Sequence, residues 1–235
     1  MRLRGALLAC AASALLAVGA AAQTPVALPV PAIDPVRLLP PPPPEGSEAQ
    51  KQELAELHRI QDTRTQADLD TAAWDSVHED WTAFAPTLGL KFDMDALPAT
   101  AKLLKEVDEE QAAAKRAGKA AFQRPRPWIV DFTVVGCDHS DDKPKSSYPS
   151  GHATMAYAMA VVLSDLMPDH AGDILQRASD YAYSRLVCGV HFRSDIVAGQ
   201  ALGSAVGTEL LHDPAMQADL TAARTELRAH GLTKG

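Results

Sequence analysis

Gly199, Gly203 and Gly207 recur at four-residue intervals inside a stretch that reads as a strong helix from about residue 194 to residue 211. A glycine in a helix interior costs about 1 kcal/mol relative to alanine. Three on one helix face therefore imply a second backbone packed closely there, at a distance that side chains would prevent. This pattern demands a helix pressed against another element. The composition supplies candidates for the partner. The chain is 46% hydrophobic but only 5% aromatic, so its apolar content is mostly Ala, Leu and Val, which favours helices.

Helical spacing recurs along the chain. It runs from residue 48 to about 85, with Leu54, Leu57 and Ile60 in a first stretch and Leu69, Ala73, Trp74, Val77 and Trp81 in a second, until Pro86 and Gly89 break it. Ser47 fits the N-cap of the first stretch. Residues 99–117 predict a helix ended by Gly118, and 153–166 a strongly apolar one closed by Pro168. Residues 172–186 predict another, and the tail after Pro214 an exposed polar helix. Residues 123–149 read as loop, apart from a short apolar piece at 128–135. The expected fold class is all-α, a single helical bundle, and its glycine-lined helix could equally serve a homo-oligomer interface.

The two ends of the N-terminal region are unlike the rest. Arg2 and Arg4 precede a small, apolar run over residues 5–19, and Ala20, Ala21 and Ala22 fit a cleavage site before Gln23. Residues 1–22 are thus expected to be a signal peptide that sends the chain to the periplasm or outside the cell. An uncleaved anchor is the alternative, and a lipoprotein site at Cys10 would leave almost no apolar run before it. No later segment reaches about 18 uninterrupted apolar residues, so no membrane span is expected. Residues 23–46 hold a proline-rich arm that ends in five consecutive prolines, 40–44, and reads as extended polyproline II. Residues 47–235 form the expected helical domain.

Removing the signal also removes Cys10 and leaves Cys137 and Cys188. In an exported chain these two are candidates for a disulfide, with two buried thiols as the alternative. The formal net charge of −8 argues against nucleic-acid binding. An anionic ligand would have to be held by a local basic cluster.

Three segments provide such a cluster. Lys119, Arg124 and Arg126 stand beside Pro125 and Pro127, which stiffen the turn; arginines offer bidentate donors to a tetrahedral oxyanion. Pro149-Ser150-Gly151-His152 immediately precedes an apolar helix, whose first N–H groups and dipole suit an anion, and Gly151 allows close approach. His191 and Asp195 lie one helical turn apart, so the carboxylate can fix the ring's tautomer, and Ser184 and Arg185 stand just upstream. Taken singly, each segment is as well explained by an ordinary helix start, a structural hydrogen bond or a solvated basic surface.

Taken together, the pattern Lys-x6-Arg-Pro, then Pro-Ser-Gly-His, then Ser-Arg-x5-His-x3-Asp resembles the signature of bacterial class A non-specific acid phosphatases. These belong to the type-2 phosphatidic acid phosphatase and vanadium haloperoxidase superfamily. The match runs from Lys119 to Asp195, about a third of the chain, and the proline arm is similar to the family's own. Two positions depart from it: Ala153 stands where Thr is usual and Phe192 where Trp is usual, the latter a possible change in the pocket wall. The resemblance implies that Lys119, Arg126, Arg185, Ser150 and the Gly151 amide bind the phosphoryl oxygens. His191 would be the nucleophile and form a phosphohistidine, Asp195 would orient it, and His152 would protonate the leaving alcohol and then activate water. Arg124, outside the match, would lie behind the site or on the surface.

The resemblance implies no cofactor and no metal. The Cys137, Asp138, His139, Asp141 and Asp142 group superficially resembles a ligand set but reads as a solvated acidic loop. The expected function is hydrolysis of small phosphate monoesters. A vanadate-dependent haloperoxidase using the same oxyanion pocket and a non-enzymatic oxyanion-binding protein are the competing readings.

Overall fold

In the computed structural model of the chain, residues 33–89, 92–137 and 145–234 are described. The signal-like segment 1–22, the first part of the arm (23–32) and the acidic stretch 138–142 lie outside them. Among the described residues there are helices and turns but no strand. A helical turn α1 (Pro35–Leu38) is followed by α2 (Glu48–Thr63), α3 (Gln66–Val77), a second short turn α4 (Ala85–Leu88) and the long α5 (Pro98–Phe122). The chain continues through a third turn α6 (Pro127–Val130) to α7 (Gly151–Leu166), α8 (Ala171–Val187), α9 (Arg193–His212) and α10 (Gln217–Ala229).

Helix α7 is the axis of the bundle. Its Met155, Ala156, Met159, Ala160, Leu163 and Leu166 are all buried, and α5, α8 and α9 pack around it. The glycines of α9 explain how closely two backbones meet there. A Cβ at Gly199 would lie 2.6 Å from the Ser150 carbonyl oxygen, and one at Gly207 would lie 2.9 Å from that of Ala158. One at Gly203 would be driven into the Thr154 carbonyl oxygen. Glycines every four residues on α9 thus sit against carbonyls every four residues on α7. The stripe is consumed within the chain and is not a surface for a second copy. Gly203→Ala should therefore destabilise the fold by about 1–3 kcal/mol, the overpacking cost outweighing the gain in helix propensity. Gly172→Ala, in α8 where a Cβ would meet nothing, should leave stability unchanged or raise it. Urea midpoints of the two variants provide the comparison.

Three local expectations are corrected. Gly118 does not end the preceding helix; α5 continues to Phe122, because Gly118 is a slot for the Pro149 ring, whose Cδ would stand 2.8 Å from a Cβ there. The turn is made instead at Gln123, in the left-handed region with φ 46°. The tail helix α10 is not simply exposed, since it buries Leu220, Ala223 and Leu227 against the bundle. Its Glu226 carboxylate also accepts from the Ala99 N–H at 2.9 Å and the Thr100 N–H at 2.8 Å, capping α5 from 126 residues away in sequence. The arm is not extended throughout: Asp34 caps the helical turn α1, accepting from the Val36 N–H at 2.9 Å, before residues 40–44 run on without helix or strand. Leu39 is buried, and the Tyr148 hydroxyl donates to the Pro40 carbonyl at 2.6 Å, tying the arm to the bundle.

Candidate active site

The turn at Gln123 folds the last turn of α5 back on the chain that follows, so Lys119 and Arg126 come to the same place. The Lys119 ammonium donates to the Ser146 carbonyl. Arg126 donates through Nη2 to the Ser146 hydroxyl at 3.2 Å, and through Nη1 to the Val190 carbonyl at 2.8 Å and His191 Nε2 at 2.8 Å. His191 Nδ1 lies 3.3 Å from Asp195 Oδ2. The same Arg126 Nη1 also lies 3.4 Å from Nδ1, so the guanidinium sits across both ring nitrogens, and the side of the ring facing Asp195 is the one a carboxylate can accept a hydrogen from. The Asp195 carboxylate is thereby placed to accept a hydrogen from Nδ1, the tautomer that leaves Nε2 with its lone pair.

Asp195 is itself tightly held. Its Oδ2 also accepts from the Ser147 hydroxyl at 2.5 Å and the Phe192 N–H at 2.8 Å, and its Oδ1 from Arg124 at 2.6 Å. Arg124 is 4% exposed, so it lies behind the site and not on the surface. It donates to Glu53 on α2 at 2.7 Å and to the Ser194 hydroxyl at 2.7 Å, with its guanidinium 3.9 Å above the Phe192 ring. Phe192 is fully buried beneath it. Ala153, the other departure from the family pattern, is buried against Gly199.

Ser150 caps α7. Its hydroxyl accepts from the Ala153 N–H at 3.4 Å and its own N–H donates to the Asp195 carbonyl at 2.9 Å, which joins the start of α7 to the first turn of α9. Gly151 opens α7 beside Lys115 and Lys119: a Cβ there would come within 3.2 Å of the Lys115 Cδ and 3.6 Å of the Lys119 Cε. His152 follows, with Nε2 3.4 Å from the Ser76 carbonyl on α3. Arg185, 1% exposed, donates from α8 to the Ala72 carbonyl at 3.1 Å and reaches Cys188 Sγ at 3.5 Å. Cys137 and Cys188 form a disulfide with Cα atoms 4.9 Å apart. It joins the strand of chain leading into 138–144 to the segment that carries His191. Arg64, at the end of α2, donates to both sides of this junction, to the Val187 carbonyl at 2.5 Å and the Val135 carbonyl at 3.1 Å.

The site is a concentration of positive charge removed from water. Burial, reinforced by Arg126, pulls the Lys119 ammonium down to about 7. Burial and then Arg126, Lys119 and Arg185 hold His191 well below the usual imidazole range, so the ring is neutral. Burial and Arg185 also push His152 down, with Glu79 pulling the other way. An arriving oxyanion would reverse the field at each of these groups.

Of the residues singled out from sequence, Lys119, Arg126, Ser150, Gly151, His152, Arg185, His191 and Asp195 lie around one cluster, whereas the Ser184 hydroxyl donates to the Tyr181 carbonyl within α8. Sequence reasoning missed Ser146 and Ser147, whose only signal is that they directly precede Tyr148-Pro149-Ser150. It also missed Lys115, Glu79 and Glu53, which reach the site from other elements.

Comparison with known proteins gives consistent results. The sequence profile of the PAP2 superfamily matches residues 111–218. An acid phosphatase of Zymomonas mobilis subsp. mobilis is 34% identical over 206 residues, 83% of this chain and 75% of that protein. A non-specific acid phosphatase of Providencia stuartii is 33% identical over 206 residues, covering 83% of this chain and 81% of that one. One from Salmonella typhimurium is 32% identical over 148 residues, 61% of this chain and 59% of that one. Among solved structures, a transmembrane PAP2-type phosphatidylglycerolphosphate phosphatase from Bacillus subtilis superposes with a TM-score of 0.53 at 19% identity, over 70% of this chain and 85% of that one. That likeness concerns the fold alone. Among the described residues of the present chain no helix is long and apolar enough to cross a membrane.

Proposed function

The chain belongs to the PAP2 superfamily, to its bacterial class A non-specific acid phosphatases, and from that premise we propose that it works through a phosphohistidine on His191, without a metal ion, after export from the cytoplasm. It is an acid phosphatase, a phosphoric monoester hydrolase. In the proposed division of the chain, residues 1–22 are the export signal, 23–46 a proline-rich arm and 47–235 the catalytic domain.

The observation that carries the mechanism is the placement of His191 between Asp195 at 3.3 Å and Arg126 at 2.8 Å. Arg126 lies against the His191 ring until a phosphoryl group arrives and takes over the guanidinium. Lys119, Arg126, Arg185, the Ser150 hydroxyl and the first N–H groups of α7 would surround the three non-bridging oxygens. Nε2 of His191 then attacks phosphorus, the P–O ester bond breaks, and His152 gives its proton to the departing alkoxide. In the second half His152 takes a proton from water, the resulting hydroxide attacks phosphorus, and the N–P bond returns its electron pair to His191. The cationic side chains supply the charge neutralisation that a metal would otherwise provide.

The direct test is rapid quenching with labelled substrate. The label should be recovered on His191 as an acid-labile, alkali-stable phosphoryl group, and its recovery on another residue would overturn the assignment. A steady-state measurement adds to it. Turnover of an aryl phosphate should survive exhaustive chelation. Its kcat/KM should stay high on the acid side, where Lys119 is charged and His191 still neutral, and fall as pH rises through about 7, where Lys119 loses its proton. Loss of activity on chelation, restored by a divalent ion, would refute metal independence.

A further inference from the structure

Glu79 is a carboxylate at the edge of a site built to attract anions, and the mechanism above gives it no task. It lies between α3 and the Trp81–Phe84 turn. Its Oε1 accepts from the Lys115 ammonium at 2.7 Å and stands 3.9 Å from Nδ1 of His152. It would also lie 3.4 Å from a Cβ on Gly151, so it borders the start of α7 directly. Its backbone is anchored from below. Asp75, on the last turn of α3, is fully buried in an ion pair with Arg177, and Arg177 also donates to the Ala83 carbonyl at 2.7 Å. The two ends of the segment that carries Glu79 are thereby fixed to α8. The Tyr181 hydroxyl, also from α8, donates to the His78 carbonyl at 2.9 Å.

The groups facing His152 explain why such a carboxylate matters. From α8 come the Arg185 guanidinium and the Tyr181 ring, whose centroid is 5.7 Å from that of His152. From α5 comes Lys115, from α3 the Ser76 carbonyl, and across the site stands His191. Burial, Arg185 and Lys115 all oppose a proton on His152; Glu79 and the Ser76 carbonyl favour it. Glu79 is the one negatively charged side chain in this set. A general acid that must give a proton to an alkoxide needs one to give.

We propose that Glu79 is the positioning residue of the leaving-group acid: bridged to Lys115, its carboxylate faces the His152 ring and keeps that ring able to hold the proton it delivers. The inference rests on the assignment of His152 as general acid. It makes Lys115 a positioning residue as well, since its ammonium fixes where the carboxylate sits. It also accounts for an acidic side chain being tolerated where a phosphate must approach.

The test exploits leaving-group chemistry. An alkyl monoester such as ethyl phosphate needs a proton on its departing oxygen; 2,4-dinitrophenyl phosphate does not. Glu79→Gln should lower kcat/KM for ethyl phosphate about tenfold or more and leave that for dinitrophenyl phosphate within about twofold. The alkaline limb of the ethyl phosphate profile should move about one pH unit toward acid relative to that of the aryl ester, because the opposite charge within 4 Å is gone. Glu79→Asp should recover part of the loss. Equal losses for both esters would overturn the proposal in favour of a structural role, and a lower KM for both would make Glu79 a competing anion. No change would remove it from the mechanism. His152→Ala separates the two levels of the argument. If it too fails to discriminate between the esters, the general-acid assignment falls; if it discriminates and Glu79→Gln does not, only the present inference falls.

Discussion

Turnover of phosphate monoesters by His191→Ala should fall by at least a hundredfold, and by on the order of 10⁴ or more if the ring is the nucleophile, because the variant lacks the group that would form the covalent intermediate. Binding of inorganic phosphate should persist, since Lys119, Arg126, Arg185 and the start of α7 are untouched. Arg126 keeps the Val190 carbonyl as an acceptor at 2.8 Å, so the variant should fold. The two measurements are single-turnover kinetics, which report the loss of phosphoryl transfer, and calorimetric titration with phosphate. A variant that retained more than about a hundredth of the wild-type rate would place the nucleophile elsewhere.

The second large effect is expected from a residue that touches no substrate. Arg124→Ala should cost about 3–5 kcal/mol of stability, the usual result of removing one partner from a buried ion pair. Two carboxylates depend on this guanidinium, Asp195 at 2.6 Å and Glu53 at 2.7 Å, and their side chains are 0% and 10% exposed. Arg124→Lys should rescue little, because a single ammonium lacks the planar fork that serves both. Activity should fall alongside, as Asp195 loses one of the bonds that orient it toward His191. Urea unfolding monitored by circular dichroism gives the stability, and a loss under about 1 kcal/mol would show that Ser147 and the Phe192 N–H hold Asp195 unaided.

Arg124 also illustrates what a sequence conceals. The signals that were legible are local. The four-residue glycine spacing identified a helix pressed on another, and the i, i+4 relation of His191 and Asp195 placed their side chains together. The proximity of Ser150 and Gly151 to an apolar run marked a helix start. Each of these depends on neighbours within one or two turns. Arg124 pairs with Glu53 across 71 residues, and Glu226 caps α5 across 126. Nothing in the flanking residues indicates such partners, because they are selected by how helices come to rest on α7. Gly118 failed for a related reason: locally it looks like a helix terminator, whereas its purpose is to leave room for Pro149, which arrives 31 positions later. Glu79 and Lys115 belong to the same class. They meet His152 only once α3 and α5 are both in place.

The glycine register between α7 and α9 has an electrostatic corollary. Residue numbers rise together along the contact, from Gly199 beside Ser150 to Gly207 beside Ala158, so the two helices run parallel and start at the same end of the molecule. Two aligned macrodipoles placed side by side repel, at their positive ends as at their negative ones. Asp195 relieves it in the first turn of α9, but α7 has no acidic residue in its first turn. At the start of α7 the nearby carboxylate is Glu79, from outside the helix, so this end of the helix pair, close to Lys119, Arg126 and Arg185, keeps an excess of positive potential. A tetrahedral oxyanion bound there offsets it, so phosphate should stabilise the folded chain as well as occupy its site. At a hundredfold excess over its Kd, any such ligand adds about 2.7 kcal/mol to the folding free energy.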